Sequence, residues 1–70
     1  MKQVVITGAA GGIGSAIAHY FAANDCFVYA VDINRAACEK LADSIGKTHC
    51  RPVVLDVTDK QAVQSWGLGL

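Results

Sequence analysis

Three short apolar runs alternate along the chain with three stretches whose apolar positions recur at helical spacing. Lys2 to Thr7 (KQVVIT) is a β-branched run that ends at a glycine cluster, which predicts a buried strand. Over residues 12–24, Ile13, Ile17 and Phe21 recur every four positions with Ala16 and Tyr20 alongside, predicting a helix that Asn24-Asp25 ends. Cys26 to Val31 (CFVYAV) reads as a second strand that stops at Asp32. Asn34 suits a helix N-cap, and Ala37, Cys38, Leu41, Ala42 and Ile45 form the apolar stripe of the helix after it. Gly46 suits the left-handed position after a helix end. Pro52 opens a third strand, Val53-Val54-Leu55, ending at Asp56. Thr58-Asp59-Lys60-Gln61 fits a capping box, so a third helix is expected to start at Thr58.

Continuous apolar strands alternating with amphipathic helices imply an α/β class with a parallel sheet covered on both faces. Right-handed crossovers then give a Rossmann-type sheet with strand order 3-2-1, the βαβαβα half of a doubly wound fold. Residues 1–66 are expected to form this half-fold. Gly67 and Gly69 are poor helix formers, so residues 67–70 are expected to be an irregular tail, either a frayed natural terminus or the end of a truncated or frame-shifted chain.

Composition narrows the picture. The 70 residues allow one small domain, and 53% hydrophobic residues exclude compositional disorder. Six Lys/Arg balance six Asp/Glu, which argues against nucleic acid or an anionic membrane surface as a partner. The apolar runs are too short for a membrane span or a signal-peptide core. Cys26, Cys38 and Cys50 are odd in number and lack a Cys-x-x-Cys pair. A disulfide framework or metal site is therefore not expected, and a reducing cytoplasm is. Cys26 and Cys38 read as small buried residues, Tyr20, Tyr29 and Trp66 as packing residues, and His19 as a surface residue. His49-Cys50 alone is too few ligands for a metal.

The candidate chemistry lies at the first strand-to-helix turn. Gly8, Gly11, Gly12 and Gly14 fall within seven positions, with Ala9, Ala10 and Ile13 between them. A helix starting inside this cluster offers unpaired N–H groups and the positive end of its dipole to an anion. Such clusters also occur as ordinary tight turns; the strand before it and the helix after it favour a diphosphate site. Asp32 follows Gly14 by 18 residues, close to where a ribose-binding acid is expected, its alternative being an exposed turn aspartate. A carboxylate there repels a 2′-phosphate, which favours NAD over NADP; Arg35 is the one nearby base. Asp56 ends the third strand at the same edge of the sheet. On the residues alone it either accepts from the adenine amine or caps the Thr58 helix.

Val5 to Gly14 (VITGAAGGIG) resembles the Thr-Gly-x-x-x-Gly-Ile-Gly cofactor motif of the short-chain dehydrogenase/reductase family. Asp32 and the segment Leu55-Asp56-Val57-Thr58-Asp59 sit where that family has its ribose-binding acid and adenine-binding pair. The resemblance runs from residue 3 to about residue 66. It implies that Gly8, Gly11, Gly12, Ile13 and Gly14 lie against the cofactor, that Thr7 helps to hold the turn, and that Asp56 and Val57 contact adenine.

That family works with an Asn, a Ser and a Tyr-x-x-x-Lys pair. Here Asn24 and Ile33 stand four residues after Tyr20 and Tyr29, so neither tyrosine makes the pair. The resemblance thus implies the NAD-binding N-terminal segment of an oxidoreductase, without its catalytic part and inactive alone. An alcohol or carbonyl substrate and homo-oligomerisation are expectations for a full-length form only. The alternative is a stand-alone adenine-nucleotide-binding module or a non-functional gene fragment.

Overall fold

The computed structural model describes residues 1–68. Six elements follow one another: β1 (Lys2–Thr7), α1 (Gly12–Ala23), β2 (Cys26–Asp32), α2 (Arg35–Ile45), β3 (Cys50–Val54) and α3 (Lys60–Leu68). The strands form one parallel sheet in the order β1-β2-β3, with Val4 opposite Val28 and Ala30 opposite Pro52. This is the expected Rossmann-like half, with β2 central. Parallel pairing brings the carboxyl ends of all three strands to one edge.

Alternation along the strands divides the packing between two faces. Val4 and Ile6 of β1, Val28 and Ala30 of β2 and Cys50 of β3 pack with Ala18 of α1 and Leu41 and Ala42 of α2. On the other face, the Tyr29 ring meets Phe27 at 5.3 Å and Trp66 at 5.6 Å, both edge-on. Trp66 therefore fastens α3 to the side of the sheet opposite α1 and α2. Cys26, Cys38 and Cys50 are buried free thiols. Among the described residues, no helix is long and apolar enough to cross a membrane.

The local signals at the ends of α1 and α2 act as their chemistry requires. Asn24 closes α1, its side-chain amide donating to the Tyr20 carbonyl at 2.7 Å, and Asp25 turns the chain at φ 61°. Asn34 caps α2 by accepting from the Ala37 N–H at 3.1 Å, and Gly46 ends that helix at φ 103°.

Four expectations need correction. β3 begins at Cys50 rather than Pro52 and ends at Val54 rather than Leu55. Val28 of β2 offers a partner to Cys50, whose burial rewards the longer pairing, and Pro52 sits inside an edge strand, where a missing N–H is tolerated. α3 is capped by Asp59, not Thr58: Asp59 Oδ1 accepts from the Gln61 and Ala62 N–H groups at 3.1 and 3.2 Å. Regular structure also continues through Leu68, past the expected start of the tail at 67; residues 69–70 of that tail lie outside the described residues. Tyr20 touches Phe21 edge-on at 5.5 Å but is 63% exposed, so its packing is one-sided. His19 is exposed, and His49 Nε2 lies 3.3 Å from Asp25 Oδ1.

Candidate functional site

At the end of β1 the chain reverses through Gly8, whose φ of 66° is left-handed and costs a residue with a Cβ energy. Ala9 is then buried, its N–H donating to the Val31 carbonyl at 3.2 Å. The Gly11 N–H returns to the Gly8 carbonyl at 3.1 Å. Gly14 fits against this turn so closely that a Cβ would overlap the Gly8 carbonyl oxygen and stand 2.9 Å from the Ala9 Cα. A glycine at 14 is thus demanded from inside the fold. Gly12 is different: a Cβ there would meet nothing within 4 Å. Among the described residues no tertiary contact requires glycine at 12, so its smallness leaves the backbone open to a group that approaches from outside.

α1 starts at Gly12, with Gly11 as N-cap and no side chain capping it. The first helical N–H with a protein acceptor is that of Ser15, bonded to the Gly11 carbonyl at 2.8 Å. Among the described residues, the N–H groups of Gly12, Ile13 and Gly14 have no acceptor. They stand at the positive end of the helix, and the Ile13 side chain beside them is 82% exposed. The arrangement can bind an anion through backbone donors alone.

Asp32 closes β2 next to this turn. Its Oδ2 accepts from the Ala10 N–H at 3.1 Å, and its Oδ1 from the Asn34 N–H at 3.1 Å. Those donors, Asn34 foremost and then Ala10, hold its carboxyl below the ordinary aspartate range, against a smaller opposing effect of burial. Its carbonyl accepts from the Leu55 N–H at 3.0 Å and faces Cys38 Sγ at 3.7 Å. The bond across 22 residues to Ala10 is invisible in the sequence, because no local pattern reports a strand end meeting a turn. The expected helper, Thr7, makes no side-chain hydrogen bond among the described residues; Asp32 and the backbone hold the turn instead.

Beyond β3, Asp56 Oδ1 accepts from both the Thr58 hydroxyl, at 2.6 Å, and the Thr58 N–H, at 2.9 Å. These bonds, the hydroxyl's first, lower its pKa. Asp56 thus builds the turn that leads into α3 without capping the helix. Its Oδ2 has no partner among the described residues. Val57 and Ile33 are 51% and 66% exposed, two apolar side chains following the ends of β3 and β2. The only signal for Ile33 in the sequence is its place as an apolar residue directly after a strand-ending acid. Arg35 pairs along α2 with Glu39 at 3.8 Å, with both side chains largely exposed.

Comparison with known proteins adds four findings. The family model described as short chain dehydrogenase matches residues 2–66. An uncharacterized oxidoreductase of Bacillus subtilis, YuxG, is 43% identical over 68 residues, covering 91% of this chain and 10% of its own length. The meso-2,3-butanediol dehydrogenase of Serratia marcescens is 41% identical over 63 residues, covering 90% of this chain and 25% of its own length. Among solved structures, the Brucella melitensis 3-ketoacyl-(acyl-carrier-protein) reductase complexed with NADH superposes with a TM-score of 0.89 at 31% identity. That alignment covers 97% of this chain and 28% of the reductase. This chain therefore spans a quarter or less of those two curated relatives. A family match over nearly all its residues, joined to the shared Rossmann-like half, makes the chain a member of the short-chain dehydrogenase/reductase family of oxidoreductases.

Proposed function

We propose that the carboxyl edge of this sheet binds NAD, and that the chain is the cofactor-binding N-terminal segment of a short-chain dehydrogenase/reductase. The observation that carries the reading is the Asp32 carboxylate standing beside the unpaired N-terminus of α1, bonded to Ala10 of the turn. The residues fit the cofactor in shape as well. The free side of Gly12 leaves room for a diphosphate to approach the backbone, and Gly8, Gly11 and Gly14 shape the turn that presents it. The N–H groups of Gly12, Ile13 and Gly14 donate to the diphosphate. Asp32 accepts from a ribose hydroxyl, Asp56 Oδ2 from the adenine amine, and Val57 lies against the adenine ring. The NADH named for the Brucella relative supports a nicotinamide dinucleotide.

NAD is favoured over NADP because a 2′-phosphate would face the Asp32 charge. Two unit charges 4 Å apart repel by about 4 kcal/mol at an effective dielectric of 20, an upper value where water has access. Arg35, engaged with Glu39, offers little relief.

Bound NAD supplies the nicotinamide carbon that takes or gives the hydride. This chain orients the adenosine half and the diphosphate; it contains no Tyr-x-x-x-Lys pair to move the substrate proton, and we expect no turnover from it alone. An alcohol or carbonyl substrate and any homo-oligomer belong to a longer protein. The apolar groove along α1, lined by Ile13, Ala16, Ile17 and Tyr20, supports the view that more protein packs here. Three buried thiols suit a reducing cytoplasm.

Calorimetric titration of the wild type and Asp32→Ala with NAD and NADP tests the reading. We expect the wild type to prefer NAD and the variant to lose most of that preference. No NAD binding by the wild type, or one NAD affinity for both proteins, refutes the assigned contacts.

A further inference from the structure

Asp32 is tied down more heavily than a ribose contact requires. Its carbonyl is held by Leu55 and Cys38, and the Asn34 N–H fixes Oδ1 so that Oδ2 is aimed at Ala10. Ala10 is half-buried, and its N–H has no other acceptor among the described residues. Few other bonds hold the turn: the Ala9 N–H to Val31 and the Gly11 N–H to Gly8. Four residues beyond Ala10, Gly14 packs on that same turn. A displacement of Ala10 is thus passed to the first-turn amides of α1.

We propose that Asp32 is a positioning residue for the diphosphate site, latching the glycine turn through Ala10 while its remaining lone pairs take the ribose. Ribose recognition and diphosphate recognition then share one side chain. The two tasks are compatible, because a carboxylate offers about four acceptor sites and the fold uses two of them. An asparagine would not serve. It would turn its NH2 group toward either the Ala10 or the Asn34 N–H, setting donor against donor.

The proposal rests on the NAD reading above, and its test separates the two. The ligands are NAD and an NAD analogue lacking both hydroxyls of the adenosine ribose, titrated against wild type, Asp32→Ala and Asp32→Asn. Hydrogen exchange at the Ala10 amide is read without ligand. A latch predicts that Asp32→Ala weakens the dideoxy analogue by about tenfold, the scale of one charge-assisted bond, and speeds Ala10 exchange; Asp32→Asn, which leaves either the Ala10 or the Asn34 amide without its acceptor, speeds exchange at one of the two. Asp32 serving the ribose alone predicts the same analogue affinity in wild type and variant and unchanged Ala10 exchange; that result overturns the latch. If the wild type binds no NAD, the NAD reading fails, and Ala10 exchange by itself decides the latch. If Asp32→Ala does not fold, a semisynthetic chain with an ester in place of the Ala10 amide replaces it. That chain should weaken NAD and the analogue by one common factor, leaving their ratio intact, and unaltered binding of both overturns the proposal.

Discussion

Gly14 and Gly12 lie two residues apart in one glycine cluster, yet the fold needs only one of them. In Gly14→Ala the added methyl overlaps the Gly8 carbonyl oxygen and lies 2.9 Å from both the Gly8 carbonyl carbon and the Ala9 Cα. All three are backbone atoms in the turn that α1 packs on, so no side chain can swing aside. Relief requires lifting the start of α1 away from Gly8. Overpacking of this kind costs about 1–3 kcal/mol, and alanine's better helix propensity returns at most about 1 kcal/mol. With that return subtracted in full, the net loss reaches about 2 kcal/mol, which corresponds to a melting temperature lower by up to roughly 15 °C for a domain of this size. In Gly12→Ala the methyl meets nothing, so the same assay should show no loss and a gain of up to about 1 kcal/mol. Thermal melts followed by circular dichroism at 222 nm compare the three proteins directly. Under the proposed function, Gly12→Ala should also bind NAD more weakly, despite its intact melt. A Gly14→Ala chain that melts with the wild type, or a Gly12→Ala chain that falls as far, would refute the steric argument.

The Asp32 and Asp56 pKa values are lowered in the fold from the ordinary 3.8, so their stabilisation is complete above that value and is lost as pH falls through the folded pKa. The urea midpoint should therefore drop below about pH 4, and Asp32→Ala should show a smaller drop. Burial first, and then the Asp32 charge, raises the Cys38 thiol pKa, and burial followed by Cys38 raises that of Cys50. Both thiols should resist iodoacetamide at pH 8 until urea unfolds the chain, as read by mass spectrometry; fast native labelling would contradict their burial. Asp59→Ala removes the cap of α3 and should cost about 1 kcal/mol of local stability. Faster hydrogen exchange at Gln61 and Ala62 would report it, whereas Thr58→Ala should spare those two amides.

Much of the architecture was legible because it follows from interactions local in sequence. Apolar runs, the Asn34 cap and the Gly46 helix end report hydrogen bonds and backbone preferences that neighbouring residues satisfy among themselves. Parallel order follows from helices long enough to cross over. The glycine cluster was legible for a similar reason, since a strand leading into a helix there leaves donors unpaired whatever surrounds it. Where two local signals compete, the pattern is silent. Thr58 and Asp59 both suit an N-cap; the Thr58 hydroxyl goes to Asp56, and the Asp59 carboxylate takes the helix.

By itself, then, the sequence determined the element types, the sheet order and the place of the glycine turn, all of which depend on periodicity and chain geometry over a few residues. Tertiary structure alone decided that β3 reaches back to Cys50, because Val28 lies opposite it in the register. It alone separated Gly14, wedged on the Gly8 carbonyl, from Gly12, which faces open space. It alone joined Asp32 to Ala10 across 22 residues. Each of these depends on which distant backbone atoms the packed strands and helices bring within a few ångströms.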